Sequence, residues 1–81
     1  MKPFDLKISS VDKELFSGKV VKLDIPAEDG RLGVLADHAD LGTILAPGEI
    51  CFTLEDGQEQ KHDCIRGFFM VKDNLAEVLL G

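Results

Sequence analysis

The sequence lacks three features, each of which would suggest a particular class of protein. No apolar run approaches the roughly 18 residues that a membrane-spanning helix needs. The segment Met1–Asp5 lacks the apolar core of a secretory signal, so we expect the protein to stay in the compartment where it is made. Basic clusters are absent, with 9 Lys and Arg against 15 Asp and Glu, whereas nucleic acid and anionic lipid are bound through such clusters. A protein or a cation is therefore the expected partner.

The chain also lacks any linker, repeat or change of composition that would divide its 81 residues. We therefore predict a single domain spanning residues 1–81. A domain of this size buries only about 60 % of the surface that its unfolded chain exposes. We expect a free energy of unfolding of roughly 4 to 12 kcal/mol, so a partner that binds only the folded state would contribute to stability.

No window of convincing length has helical periodicity, and only Asp37–Leu41 is compatible with a single helical turn. Short runs with a period of two dominate instead, beginning with Phe4–Ser9. Gly18 is interpreted as a turn. In the strand after it, Val21–Ile25, every second residue from Val21 onward is apolar, and the strand is predicted to end at Pro26. Such strands recur about every 8 to 10 residues. The sequence therefore predicts an all-β fold, a roughly ten-stranded antiparallel β-sandwich or flattened barrel with no substantial helix.

Glycine, proline and asparagine mark the turns between these strands. Ala27–Gly30 is predicted to form a four-residue turn that leads into a strand over Arg31–Leu35. Pro47-Gly48 predicts a type II turn, in which the glycine has a positive φ. Asp73-Asn74 predicts another tight turn, before the last strand.

Two cysteines, Cys51 and Cys64, flank a turn whose loop length decides how they face each other. With a two-residue loop, Cys51 faces His62 and Cys64 is its diagonal neighbour, about 7 to 8 Å away. With a three-residue loop and a left-handed Gly57, the two cysteines point to opposite faces. A disulfide needs Cβ atoms about 3.5 to 4.5 Å apart, so neither register allows one. We prefer the three-residue loop because it places Cys64 on the apolar side of its strand, and free thiols fit a reducing cytosol.

The segment Ile25–Glu49 is the strongest candidate for a contact surface, because two glycine turns enclose a strand and bring His38 onto a loop. Asp37 and Asp40 beside His38 suggest a metal site or a general base. A zinc site needs three or four convergent ligands, whereas the other candidate pair, His62–Cys64, lies on a different strand. We therefore expect no catalytic residue, no metal and no cofactor. Two roles stay open for His38, a hydrogen bond within its own corner and a contact at a protein interface.

Three further motifs carry weaker signals. The segment Gly30–Gly33 lacks the Gly-Lys-Ser/Thr ending of a phosphate loop and opens a strand, not a helix. A small hydrolase that used His38, Asp40 and a nearby serine would need these groups within about 2.6 to 3.2 Å of each other. Phe68 and Phe69 are consecutive on a strand and point to opposite faces, so we expect one in the core and the other at an edge or an interface.

Short glycine-containing and aliphatic segments follow one another in a fixed order along essentially the whole chain. They are Leu15–Val20, Asp29–Leu35, His38-Ala39, Leu45–Gly48, Gly67-Phe68, Val71 and Val78-Leu79. Each segment alone is a weak signal, but the ordered series is specific. It resembles the epsilon subunit of F-type ATP synthases, whose mitochondrial counterpart is called delta.

The resemblance implies a β-sandwich at the foot of the central stalk, which binds the gamma subunit and rests on the ring of membrane-embedded c subunits. It implies no catalytic role and no insertion into the membrane. The subunit would couple ion-driven rotation to ATP synthesis, as a peripheral part of the complex on the cytoplasmic face of the inner or plasma membrane. The resemblance maps the rotor-facing end onto Asp29, Gly30, Arg31 and His38. The predicted interface with the c-ring or gamma comprises these residues together with Asp37 and Asp40.

Several positions depart from the family pattern, so contact chemistry cannot simply be copied. Arg31 stands where an acidic or small residue is usual, and Ala36-Asp37 replaces the usual Pro-Gly before the histidine. Asp40 replaces a proline, and Arg66–Phe68 replaces a Gly-Gly-Phe signature. We hypothesise that the three aspartates of this region, including Asp29, together supply an acidic contact to the basic polar loops of the ring.

Two expectations concern the wider protein. Most relatives continue from this domain into a two-helix hairpin with inhibitory behaviour. If the natural protein ends at Gly81, we expect that it cannot block rotation by inserting such helices. The alternative function is a stand-alone β-sandwich that binds a ligand through Asp37–Asp40, and co-purification with gamma would separate the two.

Overall fold

The computed structural model describes residues 1–81 and consists of eight β-strands with no helix. The all-β prediction is confirmed, and the number of strands is close to the predicted one. None of the elements is a helix with the length and apolar character that crossing a membrane would require. The strands are β1 (Phe4–Ser10), β2 (Glu14–Ala27), β3 (Gly30–Val34), β4 (Leu41–Leu45), β5 (Gly48–Leu54), β6 (Glu59–Cys64), β7 (Gly67–Lys72) and β8 (Leu75–Leu80).

The long strand β2 belongs to both layers of the sandwich. Its first half pairs with β1, and the layer continues from β1 through β8 and β7 to β4. Its second half lies between β3 and β5, and β6 forms the outer edge. The pairs are antiparallel, as predicted, with the exception of β1 and β8, which are parallel. This parallel pair places the first and the last strand of the chain side by side.

Alternate side chains on the strands fill the space between the layers. On β1 these are Phe4, Leu6 and Ile8, and on β8 they are Ala76 and Val78. The core is one cluster of 15 buried residues, and no polar or charged side chain is buried. Burial of this apolar surface is the main favourable contribution to folding.

Gly18 does not form the predicted turn. β2 runs without interruption from Glu14 to Ala27, and Gly18 pairs with Leu6 of β1. The glycine leaves room for the ring of Phe16, since a Cβ at position 18 would lie 3.2 Å from the Phe16 Cζ. The prediction was wrong because a strand glycine can mark close packing as well as a break.

A β-bulge at Val21 changes which side chains of β2 face the core. Val20 pairs with Leu54 and Lys22 with Thr53, so Val21 is the extra residue. Val20 is consequently buried and Val21 only half-buried. The predicted alternation placed Val21 on the apolar face of the strand, and it was wrong at this residue because Val20 faces the core instead.

Pro26 and Gly48 approach each other closely, and the sequence predictions for both were wrong. β2 continues past Pro26 to Ala27. Pro26 lies opposite the junction between β4 and β5, where its carbonyl accepts the Ala46 N–H at 2.8 Å. Gly48 does not have the positive φ of a type II turn but begins β5. Glycine fits there for another reason, since a Cβ would lie 2.8 Å from the Pro26 Cβ.

Two other tight turns agree with the sequence. Ala27 pairs with Gly30, so Glu28-Asp29 forms the loop between β2 and β3. Between β7 and β8, Asp73 has a φ of 51° and Asn74 a φ of 62°. Two consecutive left-handed residues are typical of the type I′ turn, which suits the twist of a hairpin.

The hairpin of β5 and β6 has the preferred three-residue register. Ile50 pairs with His62, and Gly57 is left-handed with a φ of 92°. Cys51 and Cys64 are both free, which confirms the prediction that they are not bridged. Cys64 is buried, and burial raises the pKa of its thiol.

Candidate interface

The predicted interface residues form two groups at opposite ends of β3. The first group, at the start of the strand, consists of Asp29, Gly30 and Arg31. The second group, which follows the end of the strand, consists of Asp37, His38 and Asp40. β3 has five extended residues, so its ends lie about 13 Å apart. The structure therefore separates the predicted site into a hairpin tip (residues 28–31) and a corner (residues 35–40).

The hairpin tip presents uncompensated negative charge. Gly30 has a φ of 128°, a conformation that residues with a Cβ rarely adopt. The Glu28 N–H donates to the carbonyl of Ile44 at 3.0 Å, which attaches the tip to β4. Asp29 is exposed and has no ion-pair partner. The tip is thus fixed in position while its carboxylate stays in solvent.

Arg31 is held by an aspartate of the neighbouring strand. Its Nε and Nη2 both lie 2.7 Å from Asp24 Oδ1, and Nη2 lies 3.9 Å from Cys51 Sγ. Arg31 pairs with Pro26, so Asp24 is its diagonal neighbour on the same face. The positive charge that distinguishes this chain from the family pattern is therefore compensated within the sheet.

Three distant segments of the chain meet at Asp37. The corner is not helical, and Asp37 has a φ of 62°. Its N–H donates to Asn74 Oδ1, while Asn74 Nδ2 donates to Asp37 Oδ1 at 2.9 Å. Lys2 Nζ lies 2.9 Å from the same carboxylate oxygen. Hydrogen bonds from Asn74 and then from Lys2 lower the pKa of Asp37 from its ordinary value of 3.8.

His38 makes a hydrogen bond within its own corner. Its Nδ1 lies 2.7 Å from the carbonyl oxygen of Ala39. A carbonyl oxygen only accepts, so Nδ1 carries the proton and Nε2 of the neutral ring is an acceptor. This contact is the first of the two roles considered for His38, and its role at an interface stays a prediction. The neighbouring Asp40 is exposed and has no ion-pair partner.

The groups that the hydrolase interpretation required are dispersed. The His38 side chain is hydrogen-bonded to the Ala39 carbonyl, whereas Ser10 lies at the end of β1 and donates to Asp12 Oδ1 at 3.1 Å. No three His, Cys, Asp or Glu side chains lie close enough together to hold a metal ion. The hydrolase interpretation thereby loses the geometry on which it depended.

An exposed apolar row crosses β4, β7 and β8. Ile44 pairs with Phe68 and Phe68 with Leu79, so the three side chains lie next to one another with exposed fractions of 56, 45 and 53 %. Phe69 is buried, which confirms that one of the two phenylalanines lies in the core, whereas a place for Phe68 at an interface stays a prediction. Single exposed apolar residues are normal, but contiguous ones are typical of interaction surfaces. The sequence indicated only the phenylalanine, because the register that aligns it with its neighbours is a tertiary property.

Comparison with known sequences agrees with these features. The family described as ATP synthase, Delta/Epsilon chain, beta-sandwich domain, matches residues 3–80. The ATP synthase epsilon chain of Dichelobacter nodosus is 40 % identical over 77 residues, which are 95 % of this chain and 54 % of that protein. The chain thus spans about half the length of this curated relative.

Solved structures give the same result at the level of the fold. A chain in the cryo-EM structure of Euglena gracilis mitochondrial ATP synthase, with OSCP, F1 and c-ring, superposes with a TM-score of 0.90 at 26 % identity. The match covers 96 % of this chain and 50 % of that one. A chain from the central stalk and c-ring of the Tetrahymena thermophila enzyme has a TM-score of 0.76 at 13 % identity, with 94 % of this chain and 61 % of that one covered, and shows the fold alone. The chain belongs to the delta/epsilon family of ATP synthase subunits, of which it forms the β-sandwich domain.

Proposed function

We propose that the chain is a non-catalytic rotor subunit of an F-type ATP synthase. It binds the gamma subunit, rests on the c-ring and couples ion-driven rotation to ATP synthesis, as a peripheral part of the complex on the cytoplasmic face of the inner or plasma membrane. The observation that carries the proposal is the family match over residues 3–80, nearly the whole chain. The structural relative from an F1/c-ring complex supports the same location.

The proposed contact with gamma extends from the corner along β4 to the apolar row, whose Ile44 carbonyl also accepts the Glu28 N–H of the hairpin tip. The row of Ile44, Phe68 and Leu79 offers a contiguous apolar surface, which a partner would remove from water. His38 adds a half-buried ring whose Nε2 is directed to no partner within the chain, so a donor on gamma can bind it. Asp40 supplies an unpaired charge within the corner, just before the start of β4.

The hairpin tip is the proposed contact with the ring. Asp29 is exposed and unpaired, and Gly30 fixes its position at the end of a two-residue loop. Basic loops of the ring would be attracted to this carboxylate. Arg31 would modulate the contact only indirectly, because its charge is already compensated by Asp24 at 2.7 Å. Under this proposal the three aspartates do not make one contact, because Asp29 lies at the opposite end of β3 from Asp37 and Asp40.

Charge reversal at each end tests the proposal. Asp29→Lys is expected to leave gamma binding intact and to lower coupled ATP synthesis in the reconstituted complex. Asp40→Lys is expected to weaken gamma binding in a pull-down with purified subunits. Glu55→Lys, on the exposed turn between β5 and β6, is the matched control and should change neither measurement.

Unchanged gamma binding and unchanged coupling in the Asp29→Lys/Asp40→Lys double variant would contradict these assignments. Failure of the unaltered chain to bind gamma at all would contradict the rotor function itself. In that case the alternative, a stand-alone β-sandwich that binds another protein, would be favoured.

A further inference from the structure

Asp37 adopts a backbone conformation that is unfavourable for most residues. Its φ of 62° lies in the left-handed region, which glycine enters freely and other residues only at a cost. Aspartate and asparagine tolerate this region better because their short side chains can form local hydrogen bonds. Asp37 does not use a local partner, however. Its hydrogen bonds are made to a residue 37 positions away in the sequence.

Asn74 is well placed to hold the corner, because both a turn and a backbone hydrogen bond fix its own position. It lies in the turn that joins β7 to β8, and its backbone carbonyl accepts the Asp5 N–H of β1 at 3.0 Å. Its side-chain amide then bonds Asp37 in both directions, accepting from the backbone and donating to the carboxylate. Lys2 adds a third contact, but both side chains of this ion pair are more than 60 % exposed, so its contribution is small.

We propose that Asp37 and Asn74, assisted by Lys2, form a clamp that holds the corner in the conformation seen here. The clamp compensates for the absence of glycine at a left-handed position, and it fixes the direction in which the adjacent His38 ring is presented. Asp37 is then a positioning residue and not a contact to a partner. Its consequence for binding rests on the proposed function, since a corner ordered in advance loses less conformational entropy when it meets gamma.

Substitution of Asn74 by glycine removes the clamp and keeps the turn. Glycine accepts the left-handed backbone of a type I′ turn, so Asn74→Gly is expected to fold. Asp73→Gly, at the other left-handed position of the same turn, is the matched control because its side chain makes no hydrogen bond to the corner. Hydrogen exchange by NMR is the measurement. The intrinsic exchange rate of the Asp37 amide depends on its sequence neighbours and is the same in all three proteins.

Asn74→Gly is expected to accelerate exchange of the Asp37 amide at least about fivefold, the effect of losing one modest hydrogen bond. Exchange of the core amides of Val71 and Ala76 should not change, and Asp73→Gly should leave the Asp37 amide as it is. An Asp37 amide that exchanges equally fast with and without the Asn74 side chain would overturn the clamp. The clamp would equally be overturned if Asp73→Gly had the effect of Asn74→Gly.

Binding to purified gamma separates the clamp from the function on which its consequence rests. Weaker binding of Asn74→Gly, by roughly tenfold, with unchanged binding of Asp73→Gly would support both. Faster exchange at Asp37 with unchanged gamma affinity would support the clamp and would count against the corner as the gamma contact.

Discussion

Gly67, the first residue of β7, permits an approach between strands that no larger residue allows. A Cβ at this position would lie 2.4 Å from the carbonyl oxygen of Leu79 and 3.3 Å from the Cα of Leu80. Favourable non-bonded contacts between heavy atoms lie at about 3.5 to 4.0 Å. The obstacle is backbone within the ladder of β7 and β8, so it cannot rotate away as a flexible side chain would. We predict that Gly67→Ala destabilises the domain.

The size of the effect follows from two opposing contributions. An extra methyl group in a well-packed site costs about 1 to 3 kcal/mol, and overlap with backbone belongs to the upper part of this range. Gly67 does not have a positive φ, so alanine would recover about 0.4 to 1 kcal/mol by restricting the unfolded chain. The expected net loss is about 2 kcal/mol in the free energy of unfolding. For a domain of this length that corresponds to a fall of roughly 8 to 16 °C in Tm.

Urea denaturation followed by far-UV circular dichroism is the suitable assay, because the chain has no Trp or Tyr to report by fluorescence. Gly33→Ala is the matched control. Gly33 lies in β3, has no positive φ, and a Cβ there would have no neighbour within 4 Å. The control should be neutral or stabilising by up to about 1 kcal/mol. The slope of the transition should be the same in all three proteins.

Equal stability of Gly67→Ala and Gly33→Ala would refute the reasoning. It would mean that β8 moves aside at no cost and that the close approach at Gly67 does not determine which residue can stand there.

Three further predictions concern the core, the thiols and the clamp. Phe69→Ala should cost about 3 to 5 kcal/mol of stability because the ring is buried, whereas Phe68→Ala on the apolar row should cost about 1 kcal/mol or less; equal losses in urea titrations would contradict this division. A thiol reagent should label Cys51 quickly and Cys64 only on unfolding, since Cys64 is buried and its raised pKa keeps it a thiol; two equal labelling phases would disprove it. The pKa of Asp37 is lowered in the folded state, so its ionised carboxylate contributes fully to stability above the ordinary pKa of 3.8. This contribution is lost only as pH falls through the lower pKa of the folded state. Opening of the corner between roughly pH 7 and pH 5, measured by exchange of the Asp37 amide, would contradict this direction.

Much of the fold was predictable because it depends on local patterns. Alternation of apolar residues identified β1, and the tight turn at Asp73-Asn74 followed from residue types that favour turns. Errors arose where glycine or proline has more than one use. Gly18 accommodates a neighbouring ring within a strand, and Gly48 accommodates Pro26, so neither forms the turn that its residue type suggested.

The candidate interface was predictable in position but not in arrangement. The sequence indicated that the residues around His38 and the turn before Gly30 lie on exposed connections. It could not show that β3 separates these two connections, nor that Arg31 is compensated by a diagonal neighbour, Asp24. Such relations depend on which strands pair and in which register.

The sequence by itself determined the all-β class, most of the turns, the free cysteines and the family, because each depends on residue types at short spacings. Only the tertiary structure decided what those residues contact. The clamp joins residues 37 positions apart, and the apolar row exists because three strands align Ile44, Phe68 and Leu79. The physical reason is that register and strand order are set by packing of the whole core, so a contact between distant residues is a property of the folded chain.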